Sequence, residues 1–123
     1  MEQLANTIGS FEYDNLFAGG ANVVTDTVTV KSGQSYVRGT VIALDSEKKA
    51  VIVDSASADE SAKVPYGILA DNVDATTEDV PAVVYLTGEF NQNALIFGGQ
   101  DTYETHKEAL RKIGIFLKEN VKA

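Results

Sequence analysis

Residues 83–90 read Val83-Val84-Tyr85-Leu86-Thr87-Gly88-Glu89-Phe90, a β-rich run that contains a glycine corner. A similar shorter run, Tyr66-Gly67-Ile68-Leu69-Ala70, precedes it, and Gly114-Ile115-Phe116-Leu117 follows it near the C-terminus. β-branched and aromatic residues bounded by glycine and polar loops favour short strands. These three runs therefore predict a mainly β fold.

The remaining chain supplies more short strands and one helix. Residues 25–30 alternate polar and β-branched residues, which is typical of a half-buried strand. Two β-rich segments joined by a short polar connection predict a hairpin. The predicted strands of that hairpin are residues 37–44 and 50–53. Further strands are predicted at residues 66–70, 82–87, 94–97 and 115–117. Loops are predicted at residues 55–62 and 71–79.

The one good helix signal begins near Thr105. Thr105 and Glu108 have the spacing of a capping box, in which each side chain accepts from the other residue's amide. Leu110 and Ile113 would form the inner face of the helix, and Gly114 suits the left-handed residue that ends many helices. We therefore predict a short helix just before the last strand.

The first 22 residues are predicted to be an extended N-terminal arm, followed by a single β domain over residues 23–123. The apolar residues of the arm follow neither a period of 2 nor one of 3.6, yet they are too aromatic for an inert tail. These side chains should pack either on a partner or on the body of the fold. In the second case the segment would be an ordinary N-terminal strand of the same domain. The candidate contact residues are Ile8, Phe11, Tyr13, Leu16 and Phe17.

Composition excludes several classes of function. The chain of 123 residues is one domain by length. It has no cysteine, which excludes thiolate catalysis and cysteine-based zinc sites. A formal charge of −8 with dispersed Lys and Arg residues argues against a nucleic-acid partner. No apolar run reaches the roughly 20 residues of a membrane span, so no membrane-spanning segment is expected. The N-terminal residues lack the pattern of a secretory signal, so cytosolic synthesis is expected.

No catalytic site is predicted. His106 is the single histidine, and its place in the first turn of the predicted helix suits a solvated residue. The Gly98-Gly99 pair precedes a helix as a phosphate-binding loop would, but no Lys follows it and Asp101 would repel phosphate. No cofactor is therefore expected.

No metal site is predicted either. Carboxylates cluster in the loop at residues 71–79, and hard cations such as calcium favour clustered oxygen ligands. Their spacing fits no EF-hand loop, and the glycine of the sharp turn is missing. The four residues, Asp71, Asp74, Glu78 and Asp79, are instead expected in a polar loop between strands.

The chain resembles the head decoration proteins of lambda-like tailed bacteriophages. The resemblance extends from about residue 13 to 121 and is most pronounced at Val37-Arg38-Gly39-Thr40-Val41, at residues 66–70, and at residues 84–90 continued by 94–97. It implies a compact β-clip or β-tulip fold and a structural, non-enzymatic virion protein. It also implies a homotrimer on the outer surface of the expanded capsid, which cements the shell against internal DNA pressure after assembly in the host cytoplasm.

The resemblance further implies that the major capsid protein is the partner of the arm. The N-terminal segment would add a strand to the capsid protein, a mode of recognition known as β-augmentation. Two other classes remain open. A glycan- or host-surface-binding β module would expose aromatic residues on loops, and a small β-clip hydrolase would need water-activating carboxylates beside a phosphate loop.

Overall fold

The computed structural model describes residues 16–18 and 22–119. Within these residues the chain forms nine short strands, two 3₁₀ turns and one α-helix, which confirms the predicted mainly β class. The strands are β1 Thr25–Val30, β2 Gln34–Tyr36, β3 Val41–Leu44, β4 Ala50–Ile52, β5 Gly67–Leu69, β6 Val73–Ala75, β7 Val80–Tyr85, β8 Gly88–Asn91 and β9 Ile115–Lys118. The helix α1 spans Tyr103–Lys112, and the 3₁₀ turns span Glu60–Lys63 and Gln92–Ala94.

Five strands close a small barrel in the order β1-β4-β3-β5-β7. The longest pairing is antiparallel, between β1 and β7, whereas β1 meets β4 in parallel at Val30 and Ala50. The predicted hairpin of β3 and β4 is confirmed. Outside the barrel lie a β2–β6 ribbon and a parallel β8–β9 pair.

The barrel strand β3 separates two hydrophobic cores. Alternate residues of a strand point to opposite faces, so Val41 and Ala43 join one core while Ile42 joins the other. The first core lies under α1 and the β8–β9 pair and includes Phe90, Leu110 and Ile115. The second includes Val30, Leu69 and Val84. Burial on both faces explains why β3 and β5 read as unbroken apolar runs.

Several predicted strand positions were wrong. Residues 37–40 form a turn instead of the first half of a strand, because Gly39 adopts a left-handed φ of 95° and its amide donates to Leu69 O at 3.0 Å. The loop predicted at residues 71–79 contains β6. The strand predicted at 94–97 is reduced to a single parallel bridge between Ile96 and Thr40, since the preceding residues form a 3₁₀ turn.

The helix was predicted in the right place but with the wrong cap. Thr102, not Thr105, is the N-cap residue, and its amide donates to the Thr105 hydroxyl at 3.1 Å. Glu108 instead forms a salt bridge with Arg111 at 2.8 Å. Leu110 is buried as predicted, but Ile113 is 40% exposed at the end of the helix. Gly114 has a φ of 97°, which confirms the predicted left-handed ending.

Candidate functional site

The segment Leu16 to Ala18 lies against the edge of β8 and attaches the N-terminal region to the body. Phe17 and Phe90 form an antiparallel bridge. The Ala18 amide donates to Glu89 O at 3.0 Å, and the Asn91 amide donates to Leu16 O at 2.7 Å. Because β9 pairs with the other side of β8, this segment completes a three-stranded arrangement.

The side chains of the segment are held by an aromatic cluster. The Phe17 ring lies 5.0 Å from the rings of both Tyr85 and Phe90, edge-on to the former. Such pairs contribute about 0.5–1.5 kcal/mol beyond the apolar area that they bury. The Arg38 guanidinium lies over the Tyr85 ring, 5.7 Å from its centre, and donates to the Tyr85 hydroxyl at 3.1 Å. Phe17 is therefore fixed to the body of the fold.

The five candidate contact residues of the arm fall into two groups. Leu16 is 4% exposed in the core, and Phe17 is half-buried against the same core, so both belong structurally to the body. Ile8, Phe11 and Tyr13 lie outside the described residues. The capsid-contact role of all five remains a prediction, and so does the domain division at residue 22. The bridge between Phe17 and Phe90 corresponds to the alternative reading, a strand packed on its own domain.

The prediction that His106 is solvated was wrong. Its side chain is 4% exposed, its ring stacks on Phe97 at 5.5 Å, and its Nε2 lies 2.7 Å from Asp101 Oδ2. Asp101 also accepts hydrogen bonds from the Ser55 amide at 2.8 Å and the Ser55 hydroxyl at 2.6 Å. The spacing that could have revealed this burial is the i, i+4 separation of His106 from Leu110, which puts both on one helix face.

The order of contacts in this cluster indicates a structural role rather than a catalytic one. In a nucleophilic triad the base contacts the nucleophile and the acid orients the base. Here the Asp101 carboxylate lies between Ser55 and His106, so the hydroxyl proton is directed at a carboxylate that is already bound to the ring. The cluster ties the loop at Ser55 to the start of α1.

The cluster also shifts the acidity of Asp101. Burial pushes the pKa of the Asp101 carboxyl upward, but hydrogen bonds from Ser55 and His106 outweigh burial and hold the pKa below its ordinary value of 3.8. The carboxylate is therefore ionised at neutral pH, and its charge is satisfied by donors on two different segments.

Two carboxylates of the 71–79 loop, those of Asp74 and Asp79, have protein partners. Asp79 lies 2.9 Å from Lys49 Nζ and accepts from the Ser32 amide at 2.8 Å, and these contacts lower the pKa of its carboxyl. Asp74 accepts from the Thr76 hydroxyl at 2.7 Å. Asp79 therefore ties its loop to the segments of Lys49 and Ser32, whereas the Asp74 hydrogen bond is local to its own turn.

The glycine pair before α1 forms a turn over a carboxylate. Gly99 has a left-handed φ of 58°, and a Cβ there would lie 2.8 Å from Asp54 Oδ1. An acidic oxygen therefore occupies the space beside the turn, which is unsuited to a phosphate group. None of the described helices has the length and apolar character of a membrane-spanning segment.

A comparison of the sequence with known protein families gives a match over most of the chain. The sequence model of the bacteriophage lambda head decoration protein D family matches residues 5–115. The chain belongs to this family. It is therefore a structural, capsid-decorating phage protein, and the family membership expected from the sequence is confirmed. A search of curated proteins found no match.

Proposed function

We propose that this decoration protein binds the outer surface of the expanded phage capsid as a homotrimer and cements the shell against internal DNA pressure. The observation on which the proposal rests is the family match over residues 5–115. Its partner would be the major capsid protein, and assembly would take place in the host cytoplasm. Neither nucleic acid nor a membrane is needed for this role.

The attachment of residues 16–18 supports separate roles for the two parts of the N-terminal region. Leu16 and Phe17 fix the root of the arm to β8, so the chain before them starts from a defined place on the body. A segment tethered at a rigid root binds with a smaller loss of orientational freedom than a free peptide. Residues 1–15 would then supply the capsid contact.

The charge of the chain is consistent with this location. At −8 the protein is repelled by packaged DNA, and a protein on the outside of a DNA-filled shell does not require a cationic face. Many symmetric copies on one lattice also make modest individual contacts sufficient through avidity.

The test is co-sedimentation of the protein with expanded and unexpanded capsids, beside a variant that lacks residues 1–10. We expect the full chain to bind expanded shells, and the deletion to weaken binding at least tenfold, or about 1.4 kcal/mol. The melting temperature of the free protein should be nearly unchanged, because the Leu16 and Phe17 anchor is retained. Full-strength binding by the deletion variant would refute the role of the arm.

The trimer is tested on the decorated shell by electron microscopy. Three-fold density on the outer surface is the expected result. A two-fold interface of standard size, about 1,600 Å² in total, without a three-fold contact would contradict it. Failure to bind any capsid would refute the proposal as a whole.

A further inference from the structure

An uncharged cleft, which we call the β2 cleft, lies between strand β2 and the loop before α1. It has a volume of about 410 Å³ and is lined by residues 34–37 and 96–99 together with Thr40 and Ile52. None of these described lining residues has a charged side chain, although 23% of the whole chain is charged. Val37 and Ile96 expose large apolar side chains there. The β2 cleft is therefore an apolar surface on an acidic protein.

A second apolar surface, which we call the β9 patch, is formed by Val23, Ile113 and Phe116. All three side chains are exposed. A Cβ at Gly88 would lie 3.5 Å from Val23 Cγ2, and the Gly88 amide donates to Gly114 O at 3.1 Å. The chain at Val23 therefore adjoins the turn that joins Ile113 to β9.

The β2 cleft and the β9 patch lie at opposite ends of α1. Phe97 of the cleft stacks on His106 in the first turn of the helix, whereas Ile113 of the patch follows its last residue, Lys112. A helix of 10 residues is about 15 Å long. The two are different surfaces of one molecule, so a contact between them is heterologous and builds a closed ring where the rotation allows it.

Charges of opposite sign border the two surfaces. At one end of the β2 cleft, a Cβ at Gly99 would lie 2.8 Å from Asp54 Oδ1, and Asp74 lines an adjoining groove on β2. Beside the β9 patch, Lys112 and Lys118 are exposed, and neither has a salt-bridge partner within the described chain. Lys118 shares a face of β9 with the exposed ring of the patch, because alternate residues of a strand point the same way.

These charges select which surfaces of two copies can meet. Each copy has a formal charge of −8, so contacts that bring like charges together are disfavoured. Two β2 clefts in contact would oppose carboxylates, and two β9 patches would oppose lysines. A β2 cleft against a β9 patch joins apolar side chains and opposite charges, even though Glu89, paired with Phe116, reduces the positive charge of the patch.

We propose that in the homotrimer the β9 patch of each copy docks in the β2 cleft of the next. Phe116 packs against Val37 and Ile96, and the lysines beside the patch face the carboxylates that border the cleft. Three such contacts close the ring. The inference rests on the proposed homotrimer and assigns the surfaces that form it.

The test is chemical cross-linking of the protein on expanded capsids. The natural chain has no cysteine, so thiols can be placed at chosen sites. The test variant combines Val37→Cys with Ile113→Cys and is treated with a short bis-maleimide. The controls are each single variant and Val64→Cys with Ile113→Cys, since Val64 is exposed but lies outside both surfaces. Circular dichroism and co-sedimentation check that every variant folds and binds.

We expect the test variant to give at least about tenfold more covalent trimer than any control, because a head-to-tail ring joins each copy to both neighbours. Covalent dimers from Val37→Cys alone would place two clefts face to face and overturn the inference. Three-fold density in electron microscopy without covalent trimers would also overturn it, while the homotrimer would stand. Capsid-bound protein without three-fold density would overturn the homotrimer and this inference together.

Discussion

At the scale of single residues, the Asp101 carboxylate links the loop at Ser55 to helix α1. It joins Ser55 to His106 through three hydrogen bonds, all at 2.8 Å or shorter. We predict that Asp101→Asn lowers the free energy of unfolding by about 2 kcal/mol or more, because the amide replaces one acceptor oxygen with a donor. Urea denaturation measures this loss. Asp71→Asn, at an exposed carboxyl, is the matched control and should change stability by less than about 0.5 kcal/mol.

The same residue predicts a dependence on pH. The folded pKa of Asp101 is below its ordinary value of 3.8, so the stabilising contribution is complete above that value. It is lost as the pH falls from 3.8 through the folded pKa, because the native state must then take up a proton. The melting temperatures of wild type and Asp101→Asn should therefore converge below pH 3.8. A difference that stays constant across this range would contradict the assignment.

Two glycines separate the effect of backbone strain from that of space. Gly33 and Gly39 both have a left-handed φ, but a Cβ at Gly33 meets nothing within 4 Å, whereas one at Gly39 would lie 2.8 Å from Ala94 O. We predict that Gly39→Ala costs at least about 1 kcal/mol more than Gly33→Ala, since both carry the strain and only one carries the clash. Equal losses in thermal unfolding would show that the backbone near Ala94 shifts freely.

Some residue roles were readable from the sequence and others were not. Gly114 was assigned to the end of the helix because a left-handed glycine there is a local property of the chain. The burial of His106 depends on Phe97 and Asp101, which contact it only after the loop before α1 has folded back. Nothing in local spacing distinguishes that histidine from a solvated one except its alignment with Leu110.

At the scale of elements, strands that contain a β-branched or apolar run were predicted, and strands without such a run were missed. β1, β4, β5, β7 and β9 lie within two residues of their predicted positions because β-branched runs or alternation mark them. The ribbon of β2 and β6 escaped prediction because each strand has three residues and several of their side chains are exposed. The helix existed as predicted, but its cap depended on which threonine met which amide.

The short segment of residues 16–18 is an element that the sequence did not define. Its contribution to the stability of the fold can be measured. We predict that Phe17→Ala lowers the free energy of unfolding by about 2 kcal/mol, because a half-buried ring is lost from the cluster with Tyr85 and Phe90. Val64→Ala, at a side chain that is 60% exposed, should cost less than about 0.5 kcal/mol. Urea titration compares the two. A Phe17→Ala variant as stable as wild type would place residues 16–18 outside the stabilising body.

At the scale of the whole molecule, the N-terminal region has two parts with separable contributions. Its root, at Leu16 and Phe17, is part of the core beside β8. Residues 1–15 are joined to this root but lie outside the described residues. Because stability depends on the root and proposed binding on the remainder, variants in the two parts should affect different measurements.

The last prediction uses that separation on decorated capsids. A ligand that binds only the intact shell raises the temperature of shell disruption by mass action, so saturating wild-type protein should raise it by several degrees. Deletion of residues 1–10 should abolish most of this gain at wild-type concentration and recover it partly at about tenfold higher concentration, because the loss is one of affinity. Phe17→Ala should lower the melting temperature of the free protein while its capsid gain, measured well below that melting temperature, is largely retained. If the deletion protects the shell as well as wild type does, capsid contact must lie on the folded body. The edges of β2 and β9 that pair with no described strand would then be the next surfaces to test.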